Sequence, residues 1–199
     1  MGNIEHKYLI NEIFYSLQGE GRWAGRAAIF IRFSGCNLQC PFCDTDFKSY
    51  EKMTAREILR KLLDYSECNF VVLTGGEPTL QVTVEFVNML HANGYYVAME
   101  TNGTREVPCN VDWVTVSPKA AYVENGSVWV TNAEEVKVVY DGEHEPDMFG
   151  ITAEEYYIQP CDTGDAKKNR AIINQCVKWV KQHPKWKLSL QQQKIINVK

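Results

Sequence analysis

The chain has no excess of positive charge: 21 Lys and Arg stand against 25 Asp and Glu, for a net charge of −4. No run of Lys or Arg makes a local exception, so direct contact with nucleic acid, which needs a basic footprint, is not expected. No stretch approaches the ~20 apolar residues of a membrane helix, and no membrane association is expected. The opening residues, MGNIEHKYLINEIF, lack a basic segment followed by an apolar one, so no secretory leader is read and a cytoplasmic protein is expected. Internal repeats, low-complexity tracts and linkers are also missing, and residues 1–199 are read as one domain. The 7 cysteines are an odd set without a secretion signal, which disfavours a disulfide framework and favours thiolates that serve a metal in a reducing compartment.

Three of those cysteines, Cys36, Cys40 and Cys43, form C-x3-C-x2-C in the run SGCNLQCPFCDTDF. Iron–sulfur cubes are normally held by four thiolates. Three thiolates in so short a run would leave one iron without a protein ligand, open to a small molecule. A structural zinc site is the alternative, but zinc closes a tetrahedron with four ligands, usually as two pairs, and the chain has no second C-x2-C or C-x2-H pair. Cys68, Cys109, Cys161 and Cys176 stand apart and read as ordinary buried or partly buried thiols.

Short β-branched or aromatic runs predict six strands: Ala27–Phe33, Phe70–Leu73, Tyr95–Glu100, Asp112–Val116, Glu135–Tyr140 and Glu155–Ile158. Helical spacing is clear in three places: Ile58, Leu59, Leu62 and Leu63; Phe86, Val87 and Leu90; and Ile172, Ile173, Cys176, Val177 and Val180. Thr54, three residues ahead of Glu57, makes a capping box for the first. Strand–helix alternation argues for parallel pairing, while Gly103, Pro108, Pro118, Gly126, Gly142 and Pro146 interrupt later helices. The expected fold is α/β: an incomplete, TIM-like barrel of about six parallel strands and about three main helices, since a full barrel needs ~250 residues.

Ligands in such folds collect at the carboxyl ends of strands. There the chain places the cysteine loop, Thr74-Gly75-Gly76-Glu77-Pro78, Thr101-Asn102-Gly103-Thr104, Ser117-Pro118-Lys119 and Gln159-Pro160-Cys161-Asp162. Paired glycines let a ligand approach the backbone, and Glu77 is expected to accept from an ammonium group. Arg32 is a lone guanidinium in the apolar run AAIFIRF, and as a period-two position it is open to a solvent-facing reading.

C-x3-C-x2-C followed by GGEP resembles the radical S-adenosylmethionine (SAM) superfamily. LQGEG before the first predicted strand, FIRFSGCNLQCPFCDTDF, TGGEP, SPK and a late QP turn more closely resemble the 7-carboxy-7-deazaguanine synthase family, from about Asn11 to Lys199. The resemblance implies a carbon–nitrogen lyase with a [4Fe-4S] cluster, SAM and Mg2+. In that chemistry a SAM-derived radical takes hydrogen from C6 of 6-carboxy-5,6,7,8-tetrahydropterin, the ring contracts, ammonia leaves, and a deazapurine for queuosine-type bases results. The radical comes from the cofactor, so no catalytic side chain is assigned.

The same resemblance implies that Cys36, Cys40 and Cys43 hold the cluster and Thr45 holds Mg2+. Phe42, Cys43, Asp44, Gly76, Ser117, Pro118, Lys119, Gln159, Pro160, Cys161 and Asp162 would meet SAM. Leu17, Gln18, Gly19, Glu20, Arg32, Thr74 and the terminal carboxylate of Lys199 would meet the pterin, with Arg32 forking to its carboxylate. Relatives carry a tail histidine where this chain has Gln193, which hydrogen-bonds but does not become cationic near neutral pH. A flavodoxin- or ferredoxin-type electron donor and a homodimer are also implied. Two alternatives stand beside this reading: an activase of a glycyl radical enzyme, and a non-enzymatic iron–sulfur protein.

Overall fold

The computed structural model describes residues 6–46 and 48–199; residues 1–5, and Phe47 at the end of the cysteine motif, lie outside it. Among the described residues nine strands form one sheet, in the order β3-β1-β2-β4-β5-β6-β7-β8-β9. The six predicted strands are β2 (Ala27–Phe33), β4 (Phe70–Gly75), β5 (Tyr96–Thr101), β6 (Trp113–Val116), β7 (Asn132–Tyr140) and β8 (Thr152–Pro160), each parallel to its neighbours in that series. Three further strands correct the expected count. β1 (Lys7–Leu17) runs antiparallel to both β2 and β3 (Glu51–Thr54), and β9 (Trp186–Leu188) extends the parallel series beyond β8.

The predicted helices are α1 (Ala55–Leu62), α2 (Val84–Ala92) and α3 (Ala166–Gln182), and a short α4 (Gln192–Ile195) lies in the tail. Thr54 caps α1 in the predicted box: its hydroxyl accepts from Glu57 N at 3.2 Å and its own N–H donates to Glu57 Oε2 at 2.7 Å. Leu63 and Val177 leave the apolar pattern read from the sequence, because α1 ends at Leu62 and both side chains are exposed.

The parallel strands alternate with period two. Ile29, Ile31, Phe33, Val71, Leu73, Val97, Met99, Val116, Val136 and Ile158 are fully buried. Between them, Arg32, Thr74, Glu100, Thr115, Glu135, Lys137 and Gln159 share the opposite, concave face by register: Arg32 lies opposite Thr74, Glu100 opposite Thr115, Thr115 opposite Glu135, and Val139 opposite Gln159. A bulge in β1 extends this face. Ile10 pairs with Phe33 but Glu12 pairs with Arg32, so one extra residue turns Glu12 and Phe14 onto the side of Arg32 and Phe30.

Candidate active site

Two adjoining cavities open at the carboxyl ends of the parallel strands. The smaller, about 240 Å³, is ringed by Cys36, Cys40 and Cys43 together with the exits of β4, β5, β6 and β8. The larger, about 610 Å³, lies over β1, β2 and the tail. Glu20, Asp44, Thr45, Thr74, Gly75, Glu100 and Gln191 belong to both walls.

Backbone geometry sets the cysteine loop. Gly76 N donates to Phe33 O at 3.0 Å and Glu77 N to Gly35 O at 2.9 Å, zipping the Gly-Gly turn onto the start of the loop. A Cβ on Gly76 would overlap the Gly35 carbonyl, so this approach requires glycine. Asn37 pins the far side: its Nδ2 donates to Thr104 at 2.8 Å, its Oδ1 accepts from Asn102 at 3.1 Å, and its carbonyl accepts from Asn125 at 3.0 Å.

All three cysteines are free thiols. Among the described residues no three His, Cys, Asp or Glu side chains converge as for a single metal ion. The thiols instead ring a cavity, which suits a cluster that takes one sulfur per iron better than a tetrahedral zinc. Burial raises the Cys36 and Cys40 thiols; Glu77 and Cys43 push Cys36 up further, and Cys36 and Cys43 push up Cys40. A cationic cluster would reverse that preference.

Of the residues assigned to SAM, Phe42, Asp44, Gly76, Ser117, Lys119, Gln159, Pro160, Cys161 and Asp162 line the smaller cavity with Cys43, and Pro118 is buried away from it. Phe42 stands edge-on to Tyr122 at 4.8 Å between centroids. Lys119 donates to Ser117 O at 2.7 Å and Oγ at 2.5 Å, and its withdrawal from water lowers the ammonium to about 8. Glu77 corrects the sequence reading. It is 0% exposed and faces inward, accepting from Thr101 Oγ1 at 2.7 Å, Thr79 Oγ1 at 2.7 Å and Asn102 N at 2.8 Å, so it braces the Thr-Asn-Gly turn rather than a ligand ammonium. Cys109 is exposed, contrary to the buried or partly buried thiol expected, while Cys68, Cys161 and Cys176 are buried.

The larger cavity collects Leu17, Gln18, Gly19, Glu20, Arg32, Thr74 and Lys199, the residues assigned to the pterin, with Thr45 in the shared wall. Phe14 and Phe30, not singled out in the sequence, stack at 4.9 Å and give it an aromatic floor. Arg32 Nε pairs with Glu12 Oε1 at 2.9 Å, and Lys199 Nζ pairs with the other Glu12 oxygen. Burial would raise Glu12, but hydrogen bonds from Lys199 and Arg32 hold it below the usual carboxylate range. The Lys199 main-chain oxygen accepts from Ser16 Oγ at 2.5 Å, which brings Lys199 into this wall.

At the junction of the cavities Glu20, assigned from the sequence, joins a charged cluster whose other members, Lys137, Glu100 and Glu135, the sequence reading did not assign to the site. Lys137, 4% exposed, donates to Glu20 Oε2 at 2.7 Å and Glu100 Oε2 at 2.8 Å. Gln18 Nε2 adds a bond to Glu100 Oε1 at 3.2 Å, and Gln191 and Gln193 donate to Glu20 Oε1 at 3.0 and 3.2 Å. Burial works against Glu20 ionising, yet the Lys137 ammonium and the amides of Gln191 and Gln159 outweigh it and hold the carboxyl at about 2. Burial also opposes charge on Lys137, but Glu100, Glu20 and Glu135 keep it above the usual lysine value. Glu135, 1% exposed and accepting from Arg22 N at 2.9 Å, is pushed up to about 7, by burial first.

The tail closes the mouth. Gln192 N donates to Gly19 O at 3.0 Å, and a Cβ on Gly19 would press on the Gln193 backbone nitrogen at 2.9 Å and displace the Gln193 amide oxygen. That oxygen is buried and has no hydrogen-bond partner among the described residues. Lys194 Nζ reaches Asp44 Oδ2 at 2.8 Å and Asp162 Oδ2 at 3.0 Å.

Comparison with known proteins places this geometry. Residues 30–142 match the radical SAM superfamily. The chain is 46% identical to a 7-carboxy-7-deazaguanine synthase of Bacteroides thetaiotaomicron, covering 96% of this chain and 98% of that one. It is 39% identical to one of Nitratidesulfovibrio vulgaris, covering 96% and 99%. The crystal structure of QueE from Escherichia coli superposes with a TM-score of 0.71 at 27% identity, covering 94% of each chain.

Proposed function

The chain belongs to the radical SAM superfamily and, within it, to the 7-carboxy-7-deazaguanine synthase family, and from that premise we propose how its two joined cavities are used. The activity is radical ring contraction in deazapurine biosynthesis, from 6-carboxy-5,6,7,8-tetrahydropterin to 7-carboxy-7-deazaguanine with loss of ammonia. The junction carries the reading: a cavity ringed by three thiols opens directly onto one with an aromatic floor and a guanidinium.

When bound, the [4Fe-4S] cluster and SAM supply the hydrogen-abstracting radical. The chain holds the cluster through Cys36, Cys40 and Cys43. Ser117, Lys119, Gly76, Phe42, Asp44 and the Gln159–Asp162 turn form the SAM wall, with Pro118 backing it. Phe14 and Phe30 take one face of the pterin, while Arg32 takes its carboxylate in a charge-assisted pair. Leu17, Gln18, Gly19 and Thr74 complete that pocket with Lys199. Lys137 keeps Glu20 ionised, and the oxygens of Glu20 and Glu100 present acceptors to the N–H groups of the heterocycle. Excluding water from the junction protects the radical.

Finer features belong to the same reading. Thr45 fits Mg2+, which takes few protein ligands and completes its shell with substrate oxygens and water, and its place in the wall shared by both cavities supports that role. A flavodoxin- or ferredoxin-type donor reduces the cluster, and the enzyme works as a cytoplasmic homodimer without nucleic acid. No helix among the described residues is long and apolar enough to cross a membrane.

The test is anaerobic reconstitution followed by turnover of the carboxytetrahydropterin with and without Mg2+. A deazapurine spectrum and released ammonia are expected, faster with Mg2+. SAM cleavage without deazapurine would point to the glycyl radical activase, and no SAM binding at all would point to a non-enzymatic iron–sulfur protein.

A further inference from the structure

Lys194 lies on α4, in a tail that joins segments the sheet keeps apart. Asp44 sits in the cysteine loop between Cys43 and Thr45, and Asp162 follows β8. Both line the smaller cavity, and the single ammonium of Lys194 bonds both, at 2.8 and 3.0 Å. One residue earlier, Gln193 lines the larger cavity, as does Lys199 at the chain end, and Gln191 lines both. One short segment is therefore a wall of each pocket.

The side chains of Lys194, Asp44 and Asp162 are 39%, 60% and 38% exposed. Exposed ion pairs add little to stability, typically about 0.2–1 kcal/mol each, so the arrangement matters for what it joins. Without the lysine, two carboxylates would face each other at the cavity mouth, and beyond Gln191 the tail would keep, among the described residues, its bonds to Gly19, Ser16 and Glu12 on the pterin side and to Glu20 at the junction. Lys194 joins those tethers to Asp44 in the cysteine loop and Asp162 after β8, which Glu20 at the junction does not reach.

Resting on the proposed function, we infer that Lys194 is a positioning residue that couples the two ligands. Pterin seated against Gln193 and Lys199 orders the tail, and the ordered tail holds Asp44 and Asp162 in place around SAM. By linkage the effect is reciprocal: SAM tightens pterin by the same factor. The enzyme then assembles a full SAM site only when there is a pterin to receive the radical.

The experiment measures SAM affinity with and without the carboxytetrahydropterin, and the converse, by calorimetry on anaerobically reconstituted protein without reductant, so that nothing turns over. For the native chain each ligand is expected to tighten the other about 5- to 30-fold, within the usual span of coupling. Lys194→Met is expected to bring that factor within about twofold of one while changing each separate affinity less than about threefold, and Lys194→Arg to restore it. Full coupling in Lys194→Met overturns the inference. So does an equal loss of both separate affinities with coupling unchanged, which marks a merely structural role. A second arm needs no pterin: in ligand-free protein, Lys194→Met is expected to speed amide hydrogen exchange at residues 42–46 and 192–198 together, and unchanged exchange at 42–46 overturns the clasp. If the native chain binds no pterin, the proposed function fails instead, and the exchange arm still decides the clasp.

Discussion

Replacing Lys137 by Met removes the buried ammonium that two partly buried carboxylates share, and the consequence follows from the distances. Glu20 and Glu100 approach that ammonium at 2.7 and 2.8 Å in a site where Lys137 is 4% exposed. Deleting one partner of a buried ion pair costs about 3–5 kcal/mol, most of it the desolvation of the charge left behind. With unfolding slopes of about 2–3 kcal/mol/M, the urea midpoint of Lys137→Met is expected to fall by roughly 1–2 M at pH 8. The loss should depend on pH. In the native chain Glu20 is held at about 2, so its contribution is complete above about 4.5 and disappears only as pH falls through about 2. Without the lysine the burial that opposes charge on Glu20 loses its main counterweight, so that carboxyl rises and the folded variant takes up protons as pH drops from 8 to 5. The gap between variant and native chain therefore narrows across that window. Adding Glu20→Gln and Glu100→Gln to Lys137→Met removes the stranded charges and is expected to recover most of the loss. A cost below about 1 kcal/mol, equal at pH 5 and pH 8, would refute the reasoning.

Glu135, raised from 4.5 to about 7, makes the native state bind more protons than the unfolded chain between those values, so its stability contribution falls by about 3 kcal/mol as pH rises through that window. Glu135→Gln should flatten this decline in denaturation curves between pH 5 and 7.5, and an unchanged slope would count against it. Thr45→Ala should leave SAM cleavage within about twofold of normal while lowering ring contraction and its Mg2+ dependence by tenfold or more, a hydrogen-bond-sized change of about 1.4 kcal/mol; equal loss of both steps would reject the division of labour. Gln193→Leu removes a buried amide oxygen without a partner. If a pterin N–H satisfies that oxygen, binding of the carboxypterin should weaken about 10-fold, whereas unchanged affinity with raised stability would make it a structural defect only.

The parallel series and its helices were legible because hydrophobic period is the strongest signal a sequence carries. Ala27–Phe33, Phe70–Leu73 and the helix behind the Thr54–Glu57 box announced themselves through long apolar or capped runs. The omissions have separate causes. β1 mixes Asn11, Glu12 and Ser16 among its apolar residues and carries a bulge, which breaks alternation where it is needed to recognise a strand. β3 and β9 are four and three residues long, too short for a period to show, and they are strands because a neighbouring edge offers hydrogen bonds. The six-strand expectation thus counted the strands that carry their own apolar signal and missed those that depend on a partner.

The site was legible where chemistry is compressed into a motif and hidden where it is spread across strands. Cys36, Cys40 and Cys43 need only their spacing. Lys137 lies in EEVKVVY, where a charge alternating with valine reads by default as an ordinary solvent-facing strand residue. The default fails because the sheet curves: in a partial barrel the second face of each strand is an interior, so a polar residue at period two looks into the cavity rather than out to water. Arg32, Thr74, Glu100, Glu135 and Lys137 are one observation repeated along neighbouring strands. That face had a signal of its own, since Glu100, Glu135 and Lys137 alternate with apolar residues in strands whose neighbours are parallel, and parallel strands covered on both sides ordinarily read as unbroken apolar runs. A polar side chain that interrupts such a run in strand after strand, as Thr74, Glu100, Thr115, Glu135 and Gln159 do from β4 to β8, marks a polar interior, and such an interior is where a polar ligand finds partners.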